Sequence, residues 1–347
     1  MRARELIFGA IAAALLITYI VAGSQLYPAV APGAAPTPTP TAARTEEPAP
    51  RLPGTLAFVV QGDVYVMRGG TVKPLTSEGR NQQPELSEDG RTLLFARRES
   101  IDGQRVGEAG QIVNAALGYS SIVSKPSAGG AETKIIDGLR ATDRRGFHQV
   151  SWFLSPALSP DGRRLAYVED DASGGADLVV LDLASGRPRV YSRGAELADP
   201  AWSPDGRTLV TTRFSEGAPA LLLWNTERPG TSQLVENLPD GEAYRPSFSP
   251  DGAWLIYTLR HGKGNDVHAA ELASGRDVAL TNDGHSWNGV FSPEGRWIAF
   301  LRDRSGTIDL YAMELGTMLS GGAAPREPQK LTKGQGVEGS GRPAWGQ

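Results

Sequence analysis

Hydrophobic positions in this chain follow two unlike patterns. Residues 6–23, LIFGAIAAALLITYIVAG, form one uncharged apolar run behind Arg2 and Arg4. A helix needs about 17–25 such residues to span a bilayer, and a signal-peptide core holds only about 7–15. A membrane helix is therefore expected over residues 1–23. The arginines hold its start in the cytoplasm and send the rest of the chain outward. Cleavage beside the small residues Val21 and Gly23 is the competing expectation. From residue 54 onward the apolar runs are short and are divided by glycine-containing turns, as in LLFA, LAYV, LIYT and IAFL. That is the pattern of strands.

The strands repeat. PELSEDGRTLLFA starts at Pro84, PALSPDGRRLAYV at Pro156, PAWSPDGRTLVTT at Pro200 and PSFSPDGAWLIYT at Pro246. NGVFSPEGRWIAFL starts at Asn288, and a truncated PAWGQ at Pro343. Serines 87, 159, 203, 249 and 292 are 72, 44, 46 and 43 residues apart. A period of about 40–45 matches the four-stranded blade of a propeller. In Ser203-Pro204-Asp205-Gly206, proline suits the first central position of a type I turn, aspartate the second, and glycine the left-handed residue that follows. Each turn therefore joins a first strand to a second. Third strands follow, often opening with aspartate at 63, 177, 266 and 309. Fourth strands end near Thr76, Asp137, Ser192, Asn237, Thr281 and Thr332, which makes six blades. LAFVV at Leu56 lacks a first strand, and PAWGQ lacks a second. Pairing them closes the ring and removes a bare sheet edge. The expected fold is all-β, a six-bladed propeller over residues 54–347.

Residues 24–53 are rich in Pro, Ala and Thr and leave nothing to bury, so they read as an extended stalk between membrane and propeller. The 347 residues carry a net charge of −4, too little basic character for nucleic-acid binding, and hold no cysteine, which excludes disulfides, thiol catalysis and thiolate metal sites.

The repeat resembles that of the TolB-like propeller family, a WD-repeat-like module with the core P-x-W-S-P-D-G-x-x-I/L-A-F. The resemblance covers about residues 54–347. It implies the propeller fold, and the repeat also occurs in the periplasmic TolB protein. Some serine peptidases carry the same repeat beside a hydrolase domain. TolB has a small α/β domain where this chain has a stalk.

No motif for catalysis stands out: G-x-S-x-G, HExxH and phosphate-binding loops are missing from the sequence. The G-x-G-x-x-G at 334–339 lies in a connector rather than between a strand and a helix. Asp170, Asp171, Ser173 and Asp177 sit in a short turn without EF-hand spacing. Blade geometry puts His148, His261 and His285 on one face and His268 in a strand, too dispersed for a metal site. No metal or cofactor is expected, and no enzyme.

The better signal is in the insertions. The connector at 138–155, GLRATDRRGFHQVSWFLS, is about twice the length of the others and carries Arg140, Arg144, Arg145, Phe147, His148, Trp152 and Phe153. Arginine and large aromatics are common interface anchors. The loop at 98–118 of the same blade is also long, and both insertions should emerge side by side on one face. Residues just before each first strand, Gln83, Ser155, Asp199, Arg245, Asn288 and Arg342, should ring the channel mouth, where two arginines could take a carboxylate or phosphate. The expected function is a membrane-tethered binding or scaffolding propeller for a protein or cell-envelope polymer. The alternative is a carbohydrate- or peptide-processing enzyme, or a small-ligand sensor, using the channel mouth.

Overall fold

The computed structural model describes residues 51–106, 111–143, 147–171, 175–214, 218–323 and 327–347. The expected membrane segment at 1–23 and most of the stalk lie outside the described residues, as do Arg144, Arg145 and Ser173. Among the described residues no helix is long and apolar enough to cross a membrane.

Six four-stranded antiparallel sheets form the six blades of a propeller. From inner to outer strand, the first blade is Ala344–Gly346, Thr55–Val60, Asp63–Arg68 and Thr71–Pro74. The second is Asn81–Leu86, Thr92–Val106, Ile112–Pro126 and Thr133–Ile136, and the third Trp152–Leu158, Arg164–Asp170, Asp177–Asp182 and Arg187–Ser192. The fourth is Leu197–Trp202, Thr208–Arg213, Ala220–Asn225 and Ser232–Leu234, and the fifth Glu242–Phe248, Trp254–His261, Gly264–Glu271 and Asp277–Ala279. The sixth is Ser286–Phe291, Trp297–Arg304, Thr307–Glu314 and Gln329–Lys330. The first blade joins both ends of the propeller, with Thr55 opposite Gly346 and Ala57 opposite Ala344.

The continuous apolar runs follow from this stacking. A second strand is sandwiched between two neighbouring blades, so both of its faces are covered; Thr55–Val60 is buried at every position. Clusters of buried side chains fill the seams between blades, for example Val290 and Leu301 of the sixth against Leu56 and Phe58 of the first. Outer strands such as Ser232–Leu234 are exposed throughout.

Two local devices build each blade. In the inner turn of the third blade, the Ser159 hydroxyl donates to Asp161 Oδ1 at 2.6 Å. The amides of Arg163 and Arg164 donate to Asp161 Oδ1 and Ser159 Oγ at 3.1 and 2.9 Å. Asp89, Asp205 and Asp251 repeat the arrangement. Aspartates at or near the start of the third strands tie down the fourth. Asp309 accepts from the Thr332 hydroxyl at 2.7 Å and the Gly334 amide at 2.8 Å, and Asp63 and Asp266 do the same with Thr76 and Gly79, and with Thr281 and Gly284.

Two expectations are corrected. Residues 98–106 and 112–118 are not loop but strand. The second and third strands of the second blade continue as a paired hairpin, 15 residues each, from Thr92 opposite Pro126 to Val106 opposite Ile112. The connector after that blade is not a loop either: Leu139–Thr142 and His148–Val150 pair as a small ribbon. It ends earlier than expected, because Trp152, Phe153 and Ser155 already belong to the first strand of the third blade.

Candidate functional site

The extended hairpin makes an arm. Beyond Arg97, the last residue paired with the innermost strand, it continues for nine residues, about 30 Å at ~3.3 Å per residue. Ion pairs brace its root: Arg97 lies 2.7 Å from Glu132 and 3.4 Å from Glu78, and Lys125 lies 3.3 Å from Glu132. The hydrogen bond from Arg97 holds the Glu132 carboxyl below its usual range, so this brace stays charged at neutral pH.

Glycines let the ribbon and the strand that follows it approach the arm closely. A Cβ on Gly103 would sit 2.8 Å from the His148 ring, and one on Gly118 would sit 2.9 Å from the Trp152 ring. His148 Nδ1 and the Thr142 hydroxyl are 2.8 Å apart across the ribbon. Arg140 bridges the ribbon to the third blade, 3.5 Å from Glu169 and over the Phe153 ring. Near its far end the arm presents Ile112, the most exposed of the large apolar side chains described, at 59%. The arm and ribbon therefore do emerge together.

The expected anchors divide on inspection. Arg140, Phe147, His148 and Trp152 are on this face, exposed or half-buried. Phe153 is a correction. It is fully buried, packs edge-on against Tyr167, and its backbone exchanges hydrogen bonds with the Ser120 hydroxyl. It holds the arm's blade to its neighbour and is unavailable to a partner.

The channel residues come together, though not where expected. Gln83, Ser155, Asp199, Arg245 and Asn288 lie inside the innermost strands, not before them. Each has a left-handed φ of 49–58° and sits where the register shifts by a bulge. For non-glycine residues this conformation costs roughly 1–2 kcal/mol each, so packing against neighbouring blades must hold it. The Arg245 and Asn288 amides donate at 2.9 Å to Thr212 and Thr258 of the preceding blades, and the Ser155 amide donates to Gln83 Oε1 at 2.8 Å.

Both arginines are already engaged. Arg245 donates to Asn288 Oδ1 and to the carbonyls of Gly339 and Ser340 at 2.8–3.0 Å. Arg342 reaches from the first blade across the channel to the carbonyls of Pro246 and Pro200 on the far side. It also stands 4.0 Å from Glu85. Glu85 was not among the residues expected here. It lines the wall with 19% of its side chain still reached by solvent, and burial pushes its carboxyl up to about 7 despite the Arg342 charge. A signal existed: the other copies carry Ala157, Ala201, Ser247, Val290 or Ala344 at this place, and only this one carries a charge.

Among the described residues no group of three or more His, Asp or Glu could hold a metal ion. His268 is spent on Asp277, at 2.7 Å. The G-x-G-x-x-G segment is a connector, in which the Gly334 amide caps Asp309 and Val337 bridges to Val60.

Comparison with known proteins adds the following. The family model described as TolB beta propeller domain matches residues 136–321. A protein named Uncharacterized peptidase YuxL, from Bacillus subtilis, is 30% identical over 122 residues, 33% of this chain and 18% of that protein. A Protein TolB homolog from Chlorobium luteolum is 32% identical over 123 residues, 35% of this chain and 27% of that protein. The matched segments thus span less than a third of either relative. Among solved structures, TolB from Acinetobacter baumannii superposes with a TM-score of 0.62 at 17% identity, covering 85% of this chain and 67% of that one. A chain of the nidogen/laminin complex superposes at 0.56 and 14% identity, covering 84% and 98%. At such identities the likeness is one of fold.

Proposed function

We propose that this chain, which belongs to the TolB beta propeller domain family, is an extracytoplasmic binding or scaffolding propeller. Residues 1–23 would anchor it in the membrane and residues 24–53 hold it off the surface. It engages a protein or cell-envelope polymer through the arm and the ribbon, and the likeness to proteins named TolB supports that setting.

The observation that carries the reading is the arm. Nine residue pairs beyond the blade are ordered, at a cost of roughly 1–2 kcal/mol per residue in backbone entropy, yet Ile112 and its neighbours cover no core. A projecting two-stranded edge is a ready template for an added strand. The channel supports a binding role less well, because a carboxylate or phosphate would have to displace the carbonyls that hold Arg245 and Arg342. No catalytic step forms part of the proposal.

The test is site-specific photo-crosslinking of the full chain in its native membrane. A crosslinker at Ile112 should give a discrete adduct, and one at Leu234, 47% exposed on the fourth blade, should not. Equal labelling at both sites, or none at Ile112, would overturn the reading.

A further inference from the structure

The seam between the second and third blades departs from the seam beside it, between the third and fourth, at three positions of the repeat. Between the third and fourth blades, Arg164 lies 4.5 Å over the Trp202 ring and donates to the Gly206 carbonyl at 2.9 Å. Trp202 in turn donates to the Ala157 carbonyl at 2.9 Å. Between the fourth and fifth blades the corresponding residues are Thr208 and Phe248, between the fifth and sixth Trp254 and Phe291, and between the sixth and first Trp297 and Trp345. The prolines of the turns close the same seams: Pro204 and Pro250 stand 3.2 and 3.6 Å from where a Cβ would be on Gly252 and Gly295 of the next blade.

Between the second and third blades all three fillers are replaced. Thr92 stands in the place of Arg164, Leu158 in that of Trp202, and Glu88 in that of the turn proline; the fourth blade also has a threonine, Thr208, but there the aromatic Phe248 and the turn proline Pro204 are kept. Nothing lies within 4 Å of a Cβ built on Gly162. A groove of about 430 Å³ remains open on the face of the inner turns, a size typical of ligand pockets. Its floor is aliphatic, from Leu94, Ile135, Leu158 and Leu183, of which the last three are only half-buried. Its rim carries Glu88, Asp89 and Asp161, and no lysine or arginine lines it. Arg91 is 3.9 Å from Asp89 but 86% exposed, so solvent screens that pair. The Ser87 and Ser159 hydroxyls hold Asp89 and Asp161 below the usual carboxylate range, which keeps the rim anionic.

We infer that this groove docks an extended segment of a partner protein, with an aliphatic side chain seated on Leu158 and a lysine or arginine beside it against Glu88 and Asp161. The anionic rim above an aliphatic floor selects that combination over an acidic or a purely apolar segment. The groove opens on the face opposite the arm, so one ring could hold two partners at once.

The experiment is fluorescence polarisation with the full chain and a labelled peptide, Lys-Leu-Val-Arg-Leu-Lys. Two control peptides replace either the cationic residues by glutamine or the aliphatic ones by alanine. The parent peptide should bind at least tenfold more tightly than either control. Leu158→Trp, which restores the filler of the neighbouring seam, should weaken it at least tenfold while melting stays unchanged or rises. Glu88→Lys, a change on an exposed turn, should weaken it about as much. Absence of binding, equal binding of a control peptide, or full binding to Leu158→Trp would each overturn the inference.

Discussion

Replacing Glu85 by glutamine should stabilise the propeller at alkaline pH and leave it unchanged in acid. The carboxyl is pushed from 4.5 to about 7 by burial in the channel wall, with Arg342 pulling weakly the other way. Below pH 4.5 the group is protonated in both the folded and the unfolded chain and contributes no pH dependence. Between 4.5 and 7 the unfolded chain releases its proton while the folded one keeps it, so stability falls as pH rises. Above 7 the folded protein carries the full burden of a buried charge. At ~1.36 kcal/mol per pH unit, that displacement amounts to about 3 kcal/mol. Glutamine keeps the volume and removes the charge, while Arg342 retains the carbonyls of Pro200 and Pro246. Equilibrium urea unfolding at pH 4.5 and pH 8 measures both ends. The variant should match the parent at the lower pH and exceed it by up to about 3 kcal/mol at the higher. A loss of stability at pH 8 would show that the Glu85–Arg342 attraction outweighs burial and would refute the reasoning.

Two further outcomes test the closure and the turns. Removal of residues 342–347 should open the ring, because it deletes the strand paired with Thr55–Val60 together with the Arg342 bridge; size-exclusion chromatography should then show association, and a monomer with unchanged melting would contradict the closure. Gly90→Ala should destabilise by several kcal/mol and Gly162→Ala by only about 1–2 kcal/mol, the strain of a left-handed alanine. Both glycines have φ near 65–68°, but a Cβ on Gly90 would lie 2.0 Å from the Gln347 carbonyl oxygen whereas one on Gly162 meets open space. Equal melting of the two variants would sink that distinction.

The repeat was legible because it is local chemistry. A Ser-Pro-Asp-Gly turn satisfies its own donors within a few residues, and an apolar run between turns must be buried on both faces. Those two rules place the strands, count the blades and pair the ends of the ring. The arm was not legible, because residues 98–118, with Gly103, Asp102, Gly110 and Gly118 among them, read as a loop to any local rule. The strand character of 98–106 and 112–118 arises from pairing across as many as 34 positions, from Thr92 to Pro126.

Burial within the site was equally beyond local reading. Phe153 and Trp152 are neighbours of similar composition, yet alternation along one strand sends Phe153 into the seam and leaves Trp152 against the arm. The sequence by itself therefore determined the blade, its turns, the number of repeats and the closing strand, all of which depend on contacts within about 45 residues or on an unpaired edge. Only the tertiary structure decided that Arg342 bridges the channel to Pro200, that Glu85 is buried near it, and that Thr92, Leu158 and Glu88 leave a groove. Each of these requires residues from different blades to meet, and a sequence pattern holds no distances between blades.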